Sequence, residues 1–140
     1  MQQTIYQVVF QLSSFEPRHL KNAVSQISNA QMALPGLKVE WVLHGEAVRF
    51  LLADVLLNNE DTKSLYPAIS GASKFLEPGD LVDHAYPAGL ENVRILACKH
   101  ALNSQNISAE RILPNVTIIA SAVAHIIARQ AAGWSYIKVG

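Results

Sequence analysis

The sequence predicts an α/β protein, a parallel sheet with helices packed on both faces. Strand-like and helix-like runs alternate along the chain, the pattern of strands joined by crossover helices. The strand-like runs, such as Val8-Val9-Phe10 and Val116-Thr117-Ile118-Ile119, are short and almost wholly apolar, which suits strands covered on both sides. The helix-like runs place apolar residues at three-and-four spacing, giving each helix one buried face.

Ile5 to Leu12 is β-branched and aromatic and predicts the first strand. Ser13-Ser14 punctuate it, and Pro17 suits the first turn of a helix whose buried stripe is Leu20, Ala23, Val24 and Ile27. Pro35-Gly36 stops that helix. Leu37 to Leu43 is the second strand, broken at His44-Gly45, and Val48, Leu51, Leu52, Val55 and Leu56 stripe one further helix. Residues 58–90 hold Asn58-Asn59, Gly71, Pro78-Gly79, Pro87 and Gly89, with one helix expected near Ser64 to Leu76. A stretch of that length between regular elements signals a binding loop, a lid or an insertion. Val93 to Ala97 is the next strand, and a helix runs from Cys98 to near Asn106. Ser108 to Leu113 adds a helical turn, Val116 to Ala120 is the last core strand, and Ser121 caps the final helix. There Val123, Ile126, Ile127 and Ala131 are expected inside, with His125 and Arg129 on the solvated or subunit-contacting side. Gly133 ends the helix, and Trp134 to Val139 alternates as an edge strand.

A chain of 140 residues suits one domain (1–140) and buries about two-thirds of its unfolded surface. Half of its residues are hydrophobic and only 16% are charged, a lean surface for a monomer, so self-association is expected. Lys plus Arg and Asp plus Glu balance at 11 each, which leaves no electrostatic footprint for nucleic acid or an anionic membrane. The longest apolar stretch, Val116 to Ala128, is interrupted by Ser121 and His125 and is shorter than the ~20 residues of a membrane span. A single cysteine excludes an internal disulfide and fits a reducing compartment, so a cytoplasmic protein is expected.

In a parallel α/β sheet the carboxyl ends of the strands gather on the edge where ligands bind. The residues predicted there are Ser13, Ser14, His44, Gly45, Cys98 and Ser121. Cys98 sits at a strand-to-helix junction, where the partly positive helix start favours a thiolate. A free cysteine is also commonly a small buried hydrophobe. His44 is the best candidate to take the thiol's proton or stabilise the thiolate; otherwise His44-Gly45 is simply a turn. His100 stands two residues from Cys98, a spacing that points the two side chains in different directions on a helix. Glu46 and Arg49 fall near the same edge. No HxxxH, CxxC or HExxH spacing suggests a metal, and no GxxxxGK, GxGxxG or GxSxG suggests a phosphate-binding cofactor or a serine nucleophile, so neither metal nor cofactor is expected.

Several segments together resemble the DsrE/DsrF-like family of small sulfur-relay proteins, including its YchN-like members. They are Tyr6 to Ser13, Ala33-Leu34-Pro35-Gly36, Val39 to Gly45, Val48 to Leu52, Ala97 to Leu102, Ile112-Leu113-Pro114, Ala122 to Ile127 and Gln130 to Lys138. The resemblance implies a three-layer sandwich around a mostly parallel five-stranded sheet, assembled as a trimer or hexamer. It also implies that Cys98 matches the family cysteine, which carries sulfur as a persulfide between a donor and an acceptor protein. Two readings follow. One is a sulfur carrier or sulfurtransferase working through Cys98 and His44. The other is a non-catalytic oligomer that binds a small ligand at Ser13, Ser14, Gly45 and Ser121. Residues 58–90 are longer than in typical members and, leaving the helix after His44-Gly45 and returning to the Cys98 strand, are expected to form a lid over the thiol.

Overall fold

β-Branched and aromatic residues at alternate positions build five strands: β1 (Gln7–Leu12), β2 (Lys38–Leu43), β3 (Val93–Cys98), β4 (Val116–Ile119) and β5 (Ser135–Lys138). In the computed structural model, which describes residues 4–72 and 90–140, these strands form one parallel sheet in the order β4-β3-β2-β1-β5. The described helices are α1 (Pro17–Ala33), a 3-10 helix (Gly45–Leu51), α2 (Ala53–Leu57), α3 (Tyr66–Ser70), α4 (Lys99–Ser104) and α5 (Ala122–Ala131), with short 3-10 turns at Lys63–Leu65 and Ala109–Arg111. Among the described residues no helix is long and apolar enough to cross a membrane.

The connections decide which face each helix covers. From β1 to β4 the chain steps one strand at a time in one direction, and right-handed crossovers put α1, the 3-10 helix and α4 on the same face. From β4 to β5 the chain crosses back over three strands, which puts α5 on the opposite face, alone among the described helices of these crossovers. The first face is the main core. Phe10, Trp41 and Ile95 stand side by side across β1, β2 and β3, all buried, and each is worth about 1.5–3 kcal/mol of burial. The second face alternates with it and is far more polar. It carries Gln11, Glu40 and Arg94 beside Val9, Val42 and Leu96.

That polarity overturns the expected orientation of α5. Its buried residues are Ala122 and Ile126, with His125 and Arg129 also turned onto the sheet, where both bond Glu40. Val123 and Ile127, expected inside, are each 61% exposed, and Ala131 is exposed as well. A fully buried carboxylate in the middle of β2 requires cationic partners, and that requirement outranks the apolar stripe.

Three other expectations change. The Val48-to-Leu56 stripe is two helices, because Leu52 is extended (φ −93°, ψ 122°) and begins α2. The carbonyl of Leu51 accepts the Leu113 N–H (2.9 Å), which fixes that break. Second, the apolar β4 is an edge strand with Thr117 and Ile118 exposed, not a strand covered on both sides. Third, the described flanks of the 58–90 stretch lie away from Cys98. Leu90 donates to the carbonyl of Ala68 (3.2 Å), and the Asn115 amide bonds the carbonyls of Ile69 (2.9 Å) and Ala72 (3.2 Å). Leu90 and Asn115 precede β3 and β4, so these ties are at the amino edge of the sheet, and the anchors of the expected lid do not belong to the Cys98 edge. Residues 73–89, with Phe75 and Leu76, lie outside the described residues.

Candidate functional site

The strand registers align the predicted site residues at one edge. Leu12 pairs Leu43, and Leu43 pairs Ala97. The ladders continue one residue further: the His44 N–H bonds the Leu12 carbonyl (3.0 Å), and the Ser13 N–H bonds the Gly140 carbonyl (2.9 Å). Ser13, His44 and Cys98 therefore form the next row across β1, β2 and β3. Side chains alternate along a strand, so this row shares the polar second face with Glu40 and Gln11, two residues along from Gln11, Val42 and Leu96.

Each residue's bonding separates free groups from occupied ones. The Ser121 hydroxyl accepts the Ala124 N–H (3.1 Å) and caps α5. The Ser14 hydroxyl accepts the Glu16 N–H (3.1 Å) and is 2.8 Å from His19 Nδ1, so it fixes the entry to α1. The Ser13 hydroxyl makes one long contact, 3.4 Å, to the carbonyl of Gly140. Cys98 is buried and starts α4 as its cap residue, with extended backbone (φ −74°, ψ 122°). Neither its thiol nor the His44 ring hydrogen-bonds a described residue. His100 is exposed on α4.

Gly45 turns the chain out of β2 with φ +62°, where an L side chain is strained by about 1–2 kcal/mol. A Cβ there also stands 3.4 Å from the carbonyl oxygen of Ser13. This turn lets the 3-10 helix start directly after His44. His44 is half-buried, and its pKa is lowered from the ordinary 6.5, first by burial and then by the charge of Lys138. A neutral imidazole at pH 7 can accept a proton, the condition a base beside a thiol needs.

The sequence reading missed two groups on this face. Lys138 lies on β5 opposite Gln11, and only the pairing of β5 with β1 brings it near His44. The second is the cluster around Glu40. Glu40 Oε1 accepts Arg129 Nε (2.7 Å) and lies 2.8 Å from His125 Nε2, while Oε2 accepts Arg129 Nη2 (3.2 Å) and is 3.6 Å from Arg94 Nη1. The Arg129 guanidinium also lies over the Trp134 ring, 5.0 Å from its centroid. No cluster of three or more His, Cys, Asp or Glu side chains suited to a metal ion occurs among the described residues.

No family model and no curated protein matches the chain. Solved structures do. The chain is similar to a protein of unknown function, MTH1491 from Methanobacterium thermoautotrophicum, with 23% identity and a TM-score of 0.69 over 95% of this chain and 98% of that one. It is also similar to the ychN protein from E. coli, with 14% identity and a TM-score of 0.52 over 96% and 99%. The resemblance to DsrE/YchN-like proteins thus extends over nearly the whole chain, and the chain has their fold.

Proposed function

We propose that this protein is a sulfur carrier that holds sulfur as a persulfide on Cys98, with His44 as the group that takes the thiol's proton. The observation that carries the reading is the row Ser13, His44, Cys98 at the carboxyl edge, in which the imidazole and the thiol have no other hydrogen-bond partner among the described residues. A thiolate is the nucleophile in sulfur exchange, and with one cysteine the loaded sulfur cannot be displaced into an internal disulfide. It leaves by transfer to an acceptor thiol. The ligand-binding alternative draws less support, since the hydroxyls of Ser14 and Ser121 are already engaged in helix starts. Intact-mass measurement after incubation with a sulfane-sulfur donor tests the proposal: one added sulfur, removed by dithiothreitol and blocked by prior alkylation, is expected. No uptake from any donor, with the thiol open to alkylation, refutes it.

The carrier is further proposed to work as a homo-oligomer, a trimer or a hexamer. The outward stripe of α5 supports this, because Val123, Ala124, Ile127, Ala128 and Ala131 form a continuous apolar face with no described element over it. Ile127→Lys is expected to dissociate the assembly to monomers in light scattering at micromolar concentration. Its unfolding free energy, measured in the monomer, stays within about 0.5 kcal/mol of a second exposed variant, because the side chain is already in water. A wild-type protein that is monomeric at that concentration removes this part of the proposal.

A further inference from the structure

The two edges of the sheet are unlike. At one edge β5 carries Lys138, an exposed charge of the kind that keeps an edge strand from pairing with another chain. At the other edge β4 bonds β3 on one side and no described strand on the other, so its alternate N–H and C=O groups point outward. Beyond the β3 ladder, the one backbone bond described for β4 joins the Val116 N–H to the Leu113 carbonyl (3.2 Å). The strand is Val116-Thr117-Ile118-Ile119, β-branched throughout, with Thr117 and Ile118 exposed. Residues 112–124, which span β4 and the start of α5, contain no Asp, Glu, Lys, Arg or His. That lack of charge selects the occupant. In an isologous contact each residue lies near its own copy, so a charged edge repels itself and an uncharged edge does not. A partner recognised through charge finds nothing here to meet. Pairing of β4 with β5 would bury Lys138 and extend from copy to copy without closing, whereas β4 against β4 closes on itself.

We propose that the outer edge of β4 is a two-fold contact with a second copy of this chain. The two β4 strands pair antiparallel about an axis normal to the sheet and continue it across the contact, with five strands from each copy. Residues that pair must share a face, so either Thr117 or Ile118 stands opposite its own copy at the axis. Four residues make a short edge, too small a contact to hold two monomers together at micromolar concentration. The contact therefore rests on the homo-oligomer reading of α5: three such contacts, acting together, join two trimers into a hexamer.

Sedimentation velocity of the full chain at micromolar concentration tests it, comparing wild type with Thr117→Lys, Thr117→Ser and Ile127→Lys. Circular dichroism checks the fold, which an exposed substitution at Thr117 leaves intact. Thr117→Lys brings like charges together at the axis and is expected to halve the hexamer to trimers, while Thr117→Ser keeps the wild-type mass. Hydrogen exchange reads the backbone pairing itself. The outward amide of Thr117 or Ile118 exchanges about tenfold or more slowly in wild type than in Thr117→Lys. A wild-type trimer, or a Thr117→Lys protein of wild-type mass, overturns the β4 contact and leaves the α5 reading standing. Halving with no change in exchange also overturns the strand pairing. A mass that falls with Thr117→Lys but not with Ile127→Lys supports the β4 contact and removes the α5 reading. A monomeric wild type overturns both.

Discussion

Glu40→Ala is expected to destabilise the fold by about 3–5 kcal/mol, the range found when one member of a buried ionic cluster is removed. The Glu40 carboxylate is fully buried and holds α5 to the sheet through three contacts from Arg129 and His125, with Arg94 of β3 beside it. Without it the Arg129 guanidinium loses the carboxylate that accepts both of its hydrogen bonds at the sheet. Urea unfolding at neutral pH reads the loss directly, and a change below about 1 kcal/mol would mean that Ala122 and Ile126 alone dock the helix. The pH dependence has a definite sign. Burial raises the Glu40 pKa, but hydrogen bonds from Arg129 and His125 and their charges outweigh it, and the net shift is downward from 4.5. A carboxylate held below its unfolded value contributes stability that is complete above the ordinary carboxylate range. That stability is lost as the pH falls through the folded value. The gap between wild type and Glu40→Ala should therefore be constant near neutrality and close in acid.

Cys98→Ala is expected to abolish sulfur uptake outright while leaving the fold intact. The side chain is buried at the end of β3 and touches water only slightly, so deleting its sulfur removes about 1–2 kcal/mol of packing. Intact mass after donor treatment and a urea titration on the same sample separate the two effects. His44→Asn forms the companion measurement. It keeps a polar side chain in the row but cannot accept the thiol proton, so uptake slows by about 10²-fold, the usual contribution of a positioned base. Residual uptake by Cys98→Ala would locate the acceptor elsewhere.

The sheet and the carboxyl edge that carries the candidate site were legible in the sequence because both depend on local signals. Apolar runs ending at Ser13, His44 and Cys98 mark three strand ends, and parallel pairing then aligns them. What the sequence concealed depends on partners far along the chain. The orientation of α5 follows from Glu40, 85 residues before His125, and periodicity within a ten-residue helix cannot register such a partner. The helix has two plausible inner faces, one apolar and one built from His125 and Arg129, and the buried carboxylate selects the second. Lys138 is a similar case, since its proximity to His44 requires knowing that the last strand lies against the first. The break at Leu52 is set by a hydrogen bond from Leu113, which no helical stripe encodes.

The position of β5 also bears on how the chain acquires its structure. The contact between Ser13 and Gly140 closes a separation of 127 residues, and among the described strands β5 pairs only with β1. Until residues 122–138 have been synthesised, β1 is an edge strand and the Glu40 carboxylate has neither His125 nor Arg129 to meet. A nascent chain at that stage holds an open, charged sheet face, and loop-closure entropy delays the pairing that covers it. Completion of the sheet and the pairing of Glu40 with His125 and Arg129 thus both depend on one segment that follows the other strands in the chain.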